Sequence, residues 1–112
     1  MKVIKVLGTE YTVTEQSETE NEKLKNANGL CEQYSKEIII NNMEKSKDDI
    51  MTVSNLQEFK NKVLRHEVIH AFFGESGLCS NSEWAENEEM VDWFAIQFPK
   101  IQNVFAELNI LE

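Results

Sequence analysis

From Lys2 to Gln16 the chain alternates apolar and polar residues on both sides of Gly8 (KVIKVLGTEYTVTEQ), the period of two that sends successive side chains to opposite faces of a strand. The pattern predicts a β-hairpin with its turn around Gly8, Thr9 and Glu10. A charged stretch, SETENEKLKNANGL, ends in the turn-forming NANG, and after it LCEQYS and KEIIINN read as two further short strands. Together these segments predict a small, mostly antiparallel sheet.

The period then changes. MEKSKDDIMTVS is a polar connection to which the pattern assigns no element. Ser54 and Gln57 stand at capping-box spacing, which predicts a helix from near Asn55 to about Phe73, ended by Gly74. GESGLCSNSEW reads as a loop with glycine at both of its turns. Helical spacing resumes at about Ala85 through AENEEMVDWFAIQF. PKIQNVFAELNIL carries it on as a second helix or a kinked extension, because proline suits a first helical position. With no internal repeat and no low-complexity linker, residues 1–112 are expected to form one domain of the α+β class.

Composition narrows the partners. The 112 residues are 41% hydrophobic with one proline and four glycines, which suits a single core and argues against disorder. Twenty acidic residues against eleven basic ones give a formal charge of -9, which repels nucleic acid and anionic membrane surfaces. Neither is expected as a partner. No apolar run approaches the length of a membrane span, and MKVIKVLGTEYTV reads as a strand and not as an export signal. Cys31 and Cys79 lack C-x-x-C spacing and are expected to be free thiols in a reducing cytoplasm.

The candidate chemistry sits in VLRHEVIHAFF, which holds both histidines of the chain. Residues four apart on a helix share a face, so His66 and His70 can aim imidazole nitrogens at one ion. Glu67 projects about 100° round the helix from His66, beside the ion, where it could take a proton from an activated water. This His-Glu-x-x-His spacing suits a catalytic zinc, which needs three protein ligands and an open position. A helical wheel surrounds the pair with Leu56, Phe59, Val63, Ile69 and Phe73, so the histidines are expected to face the core. Two neutral imidazoles buried together without a shared partner would each leave a donor or acceptor to satisfy.

The third ligand must come from elsewhere, since no other histidine exists. Cys79 is one candidate. NEEMVDWFA is the better one: Met90, Val91, Phe94, Ala95 and Phe98 form an apolar arc bordered by Glu88 and Asp92, whereas Glu89 falls outside it. One of these two carboxylates would bind zinc and the other would hydrogen-bond a ligand histidine. Glu83, Glu86 and Glu89 read as a solvated helix face.

RHEVIHAFF followed by NEEMVDWFA resembles the glutamate-ligand zincins, and EEMVDWFA is similar to the signature of ImmA/IrrE-like metallopeptidases, most of all a minimal version encoded by phages and prophages. The likeness covers residues 54–100, and the N-terminal hairpin only in outline. It implies a zincin-like fold with a small sheet packed on a central His-Glu-x-x-His helix and a ligand-bearing helix after it. It makes His66, His70 and Glu88 the zinc ligands, Glu67 the general base and acid, and Asp92 the partner of a ligand histidine, most simply His66. It also implies that EIIINN is the edge strand along which a peptide pairs. Val91 stands where the signature has alanine. No histidine remains to stabilise an oxyanion, which leaves Tyr11, Tyr34 and Arg65 as candidates.

The expected function is thus a cytoplasmic, zinc-dependent metallopeptidase cutting a specific protein or peptide substrate, such as a phage or host regulator in a bacterial cell. The alternative is a metal-stabilised protein-binding module that keeps the fold and the ion without catalysis. The intact Glu67 favours the enzyme; the small size and the missing oxyanion histidine favour the binder. Zinc is the expected metal, although two histidines and a glutamate suit related divalent ions too.

Overall fold

The structure, a computed structural model, describes residues 1–44 and 55–112. Strands β1 (Lys2–Val6) and β2 (Thr9–Gln16) pair antiparallel, with Val6 opposite Thr9. The turn is therefore Leu7-Gly8, and Thr9 and Glu10 belong to β2 instead of the turn. A two-residue hairpin loop of type I′, which matches the strand twist, takes positive φ at both positions, and Leu7 (49°) and Gly8 (87°) both adopt it. Gly8 makes the turn possible, and Leu7 is drawn into it.

Strands β3 (Gly29–Glu32) and β4 (Glu37–Asn41) form a second antiparallel pair, while β2 and β4 run parallel. The sheet is thus mixed, in the order β1-β2-β4-β3. This places EIIINN in the interior of the sheet and not at its edge; β1 and β3 are the edge strands. The uninterrupted run Ile38, Ile39, Ile40 fits an interior strand, since all three are buried. Buried Asn41 ends β4 by donating to the carbonyl of Leu24 (3.2 Å) and accepting from the Met43 amide (2.8 Å), which ties down the 3-10 turn Glu22–Asn26.

Helix α1 (Leu56–Glu75) packs across the sheet on a core of Val6, Tyr11, Ile38, Ile40, Val63 and Ala71. Its first turn is capped by Asn55, whose side chain accepts from the Glu58 amide at 3.1 Å. Ser54, expected to form the capping box, lies outside the described residues, as does most of the polar connection before it. The helix also passes through Gly74 instead of ending there. The end of the Gln33 side chain lies in the place a Cβ would take. Gly77, at φ 84°, is the left-handed residue that stops the helix after the Ser76 cap.

The last turn of α1 is fastened to the sheet by Glu75. Its carboxylate accepts from the Thr9 hydroxyl (2.8 Å), the buried Tyr11 hydroxyl (2.6 Å) and the Lys36 ammonium (2.9 Å). These hydrogen bonds, the Tyr11 one first, hold the Glu75 carboxyl down at about 2. Burial and the facing carboxylate push the Tyr11 phenol well above its usual range.

The segment expected as a loop contains a short helix, α2 (Leu78–Asn81), and a 3-10 turn, Glu83–Glu86, that buries Ala85. Helix α3 (Glu88–Glu107) begins three residues later than expected, behind an Asn87 cap, and is one helix with Pro99 inside it. Proline at 99 removes the amide that would serve the Ala95 carbonyl four residues back. Arg65 supplies the missing donor, its Nε lying 2.6 Å from that oxygen. The proline is tolerated because α1 repairs the bond, and the repair fixes α3 against α1. Among the described residues no helix is long and apolar enough to cross a membrane.

Candidate metal centre

The stripe of α1 facing the sheet is Val63, Glu67 and Ala71, all buried. His66 and His70 occupy the adjacent face, toward α3, with 15% and 14% of their side chains exposed. Glu67, expected beside a core-facing histidine pair, is therefore the member of the motif that meets the sheet. Gly29 permits it: a Cβ there would stand 2.9 Å from Val63 Cγ1 and 3.0 Å from Glu67 Cγ. Only glycine lets the edge strand close on the helix at this point. Of the apolar residues expected around the histidines, Val63 is buried and Leu56 and Phe59 pack partly on the core, but Ile69 opens onto a groove and Phe73 stacks on Trp84.

Helix α3 brings its acids to the same place. Asn87 accepts from the Met90 amide at 2.8 Å, which starts the helix so that Glu88 is its first residue. Val91 and Ala95 are fully buried, whereas Phe94 and Phe98, expected in the same inward arc, remain 39% and 48% exposed. Glu88 and Asp92 border the buried pair as expected.

Three ligand groups converge. The Nε2 atoms of His66 and His70 are 3.2 Å apart, and the two Glu88 oxygens lie 2.9 Å from one Nε2 each. Donor atoms around a tetrahedral zinc with bonds of about 2.0–2.1 Å stand roughly 3.3 Å from each other. The spacing of the three groups is close to that figure. Asp92 Oδ1 lies 3.0 Å from His66 Nδ1. Burial pushes the Asp92 carboxyl up, but hydrogen bonds from Lys62 and His66 outweigh it and hold the group below its usual range. An ionised Asp92 can only accept, so the ring proton of neutral His66 sits on Nδ1 and its Nε2 presents a bare lone pair. That lone pair faces a Glu88 oxygen and the Nε2 of His70, a group that could hold a metal ion. Among the described residues, His66, His70 and Glu88 are the one group with metal-binding geometry.

Glu67 lines a cleft of about 250 Å³ together with Gly29, Lys62, His66, Glu88 and Asp92. No described residue hydrogen-bonds its carboxylate. Burial is the main reason its carboxyl is raised to about 7; His66 opposes the shift and Glu88 adds to it. Burial likewise lowers His70, against the pull of Glu88.

Other expectations fall away from the cleft. Glu89 is exposed and outside the cluster, as expected. The Cys79 thiol contacts Gln33 (3.8 Å) and the Ala85 carbonyl (3.7 Å), not the histidines. Tyr34 is fully exposed, Tyr11 is committed to Glu75 and Arg65 to Ala95, so none of the three lines the cleft. Two residues were missed. Lys62, one turn before His66, donates to Asp92 Oδ1 at 3.1 Å and completes a Lys62–Asp92–His66 chain. Its position four residues before His66 was the available signal. Gly29 carried none, because its part depends on a strand and a helix distant in sequence.

Compared with protein-family models, with curated proteins and with solved structures, the chain matches none.

Proposed function

We propose that the chain is a zincin-like, zinc-dependent metallopeptidase that hydrolyses a peptide bond in a specific protein substrate, such as a phage or host regulator in the bacterial cytoplasm. The observation that carries this reading is the meeting of His66, His70 and Glu88 with a buried Glu67, whose carboxylate no described residue hydrogen-bonds, at the wall of the same cleft. His66, His70 and Glu88 would hold the ion. When bound, zinc supplies Lewis acidity that makes water nucleophilic near neutral pH.

The remaining steps fall to the side chains. Glu67 accepts the proton of the attacking water and returns it to the leaving amine. Its burial favours proton uptake, while its place in the wall of the cleft leaves it open to that water. Asp92, itself held by Lys62, fixes the ring of His66 and keeps Nε2 free as a ligand atom. Strand β3 is the sheet edge adjoining Glu67 through Gly29, so an extended peptide adding to it would run past the base.

One observation favours the second reading, a metal-stabilised binding module: none of Tyr11, Tyr34 and Arg65 is in the cleft to stabilise an oxyanion. A peptide library digested in the presence of zinc and read by mass spectrometry separates the two. The parent should cut a subset of peptides, and Glu67→Gln, with zinc content unchanged, should cut them at least about 100-fold more slowly. Equal cutting by both, or none by the parent against its own protein substrate in cells, leaves the binding module.

A further inference from the structure

Helix α3 is buried only at Val91 and Ala95, in its first half. From Phe94 onward its apolar residues recur at Phe94, Phe98, Ile101, Phe105 and Leu108, intervals of four and three that mark a helix–helix seam. The described residues leave that seam open: Phe94, Phe98, Phe105 and Leu108 are 39%, 48%, 43% and 63% exposed. Phe98 also closes one wall of a groove of about 640 Å³ on α1, lined by Leu64, Val68, Ile69 and Phe72, with Phe72 41% exposed. One face thus carries both a groove and a ridge, and nothing described in the chain covers either.

We propose that this face binds a second copy of the chain, the α3 ridge of each protomer lying on the α1 groove of the other about a two-fold axis. The area fits. At roughly 200 Å² per large side chain, Phe72, Phe94, Phe98, Phe105 and Leu108 expose about 450 Å². Interfaces are about 60% apolar, so this core implies about 750 Å² per partner, close to the roughly 800 Å² of a standard interface. The charge fits as well. A chain of charge -9 should repel its own copy, yet from Trp93 to Ala106 the single charged residue is Lys100. Three of the four acids of α3, Glu88, Glu89 and Asp92, sit at its other end, so from Phe94 to Phe105 the ridge can approach a second copy without opposing carboxylates, and Glu107 alone flanks its last turn. A surface with both complementary halves is what an isologous dimer requires. The inference does not rest on the metal centre.

Sedimentation velocity of the whole zinc-equilibrated chain, from about 1 μM to about 1 mM, reads a dimer with Kd anywhere in that window. A dimer is expected, and Phe105→Glu and Leu108→Glu should each weaken it at least about 10-fold with helix content and zinc stoichiometry unchanged. Leu108 is the exposed cap of α3, so Leu108→Glu leaves the fold intact even if Phe105→Glu does not. A monomer over the whole range overturns the proposal, including the case where another macromolecule occupies the face. A dimer as tight in Leu108→Glu as in the parent overturns it too.

Discussion

Asp92 Oδ1 lies 3.0 Å from His66 Nδ1, and that bond decides what the other side of the ring can do. With the proton held at Nδ1, His66 offers Nε2 as a ligand in the neutral state. Asp92→Ala should weaken zinc binding by roughly 10 to 100-fold through loss of this orientation. Glu88→Ala, which removes a proposed ligand, should weaken it more, and Glu89→Ala should change it little. Competition titrations with a chromophoric chelator rank the three; damage from Glu89→Ala equal to that from Glu88→Ala would contradict the ligand set.

On the proposed function zinc should also hold the domain together, because the proposed ligands come from two helices and meet only in the folded chain. At a free zinc concentration 100 times Kd the added stability is about 2.7 kcal/mol. Chelation should therefore lower Tm by several degrees, and an unchanged Tm would count against a site spanning α1 and α3.

Gly29→Ala places a Cβ within 3.0 Å of Val63 and Glu67. Overpacking of this kind costs about 1–3 kcal/mol. Gly74→Ala meets only the far end of Gln33, which can swing aside, and alanine favours a helix by about 1 kcal/mol over glycine. Urea midpoints should fall for Gly29→Ala and stay or rise for Gly74→Ala. The reverse order would mean that β3 does not close on Glu67.

Much of this architecture was legible where the signal is local. The four strands, the two long helices and the phase that separates Glu88 from Glu89 all follow from periods of two and 3.6 and from capping residues. What could not be read was set by contacts between distant segments. The parallel pairing of β2 with β4 moved EIIINN from the edge to the interior. Arg65 made Pro99 compatible with a continuous helix, and Gly77, not Gly74, is where α1 stops. Around the site, Lys62 and Gly29 act through partners 30 or more positions away, Asp92 and Glu67.

Acid should loosen the far end of α1. Glu75 has its carboxyl lowered from 4.5 to about 2 by Tyr11, Lys36 and Thr9. A depressed carboxyl stabilises the fold fully above its unfolded value and loses that contribution as pH falls through the folded one. Stability should thus decline between about pH 4.5 and pH 2, and the decline should be shallower in Glu75→Gln. Equal slopes for the two proteins in acid titrations of the urea midpoint would remove Glu75 from the account.

The most direct test is the metal itself. After equilibration with zinc and removal of the excess, elemental analysis should find about one zinc per chain if the proposed site holds, because His66, His70 and Glu88 are the one group among the described residues that could hold an ion. Substitution of both histidines by alanine should bring that value close to zero. Zinc well below one per chain in the parent, or an undiminished content without the two histidines, would contradict the metal centre and the hydrolytic function built on it.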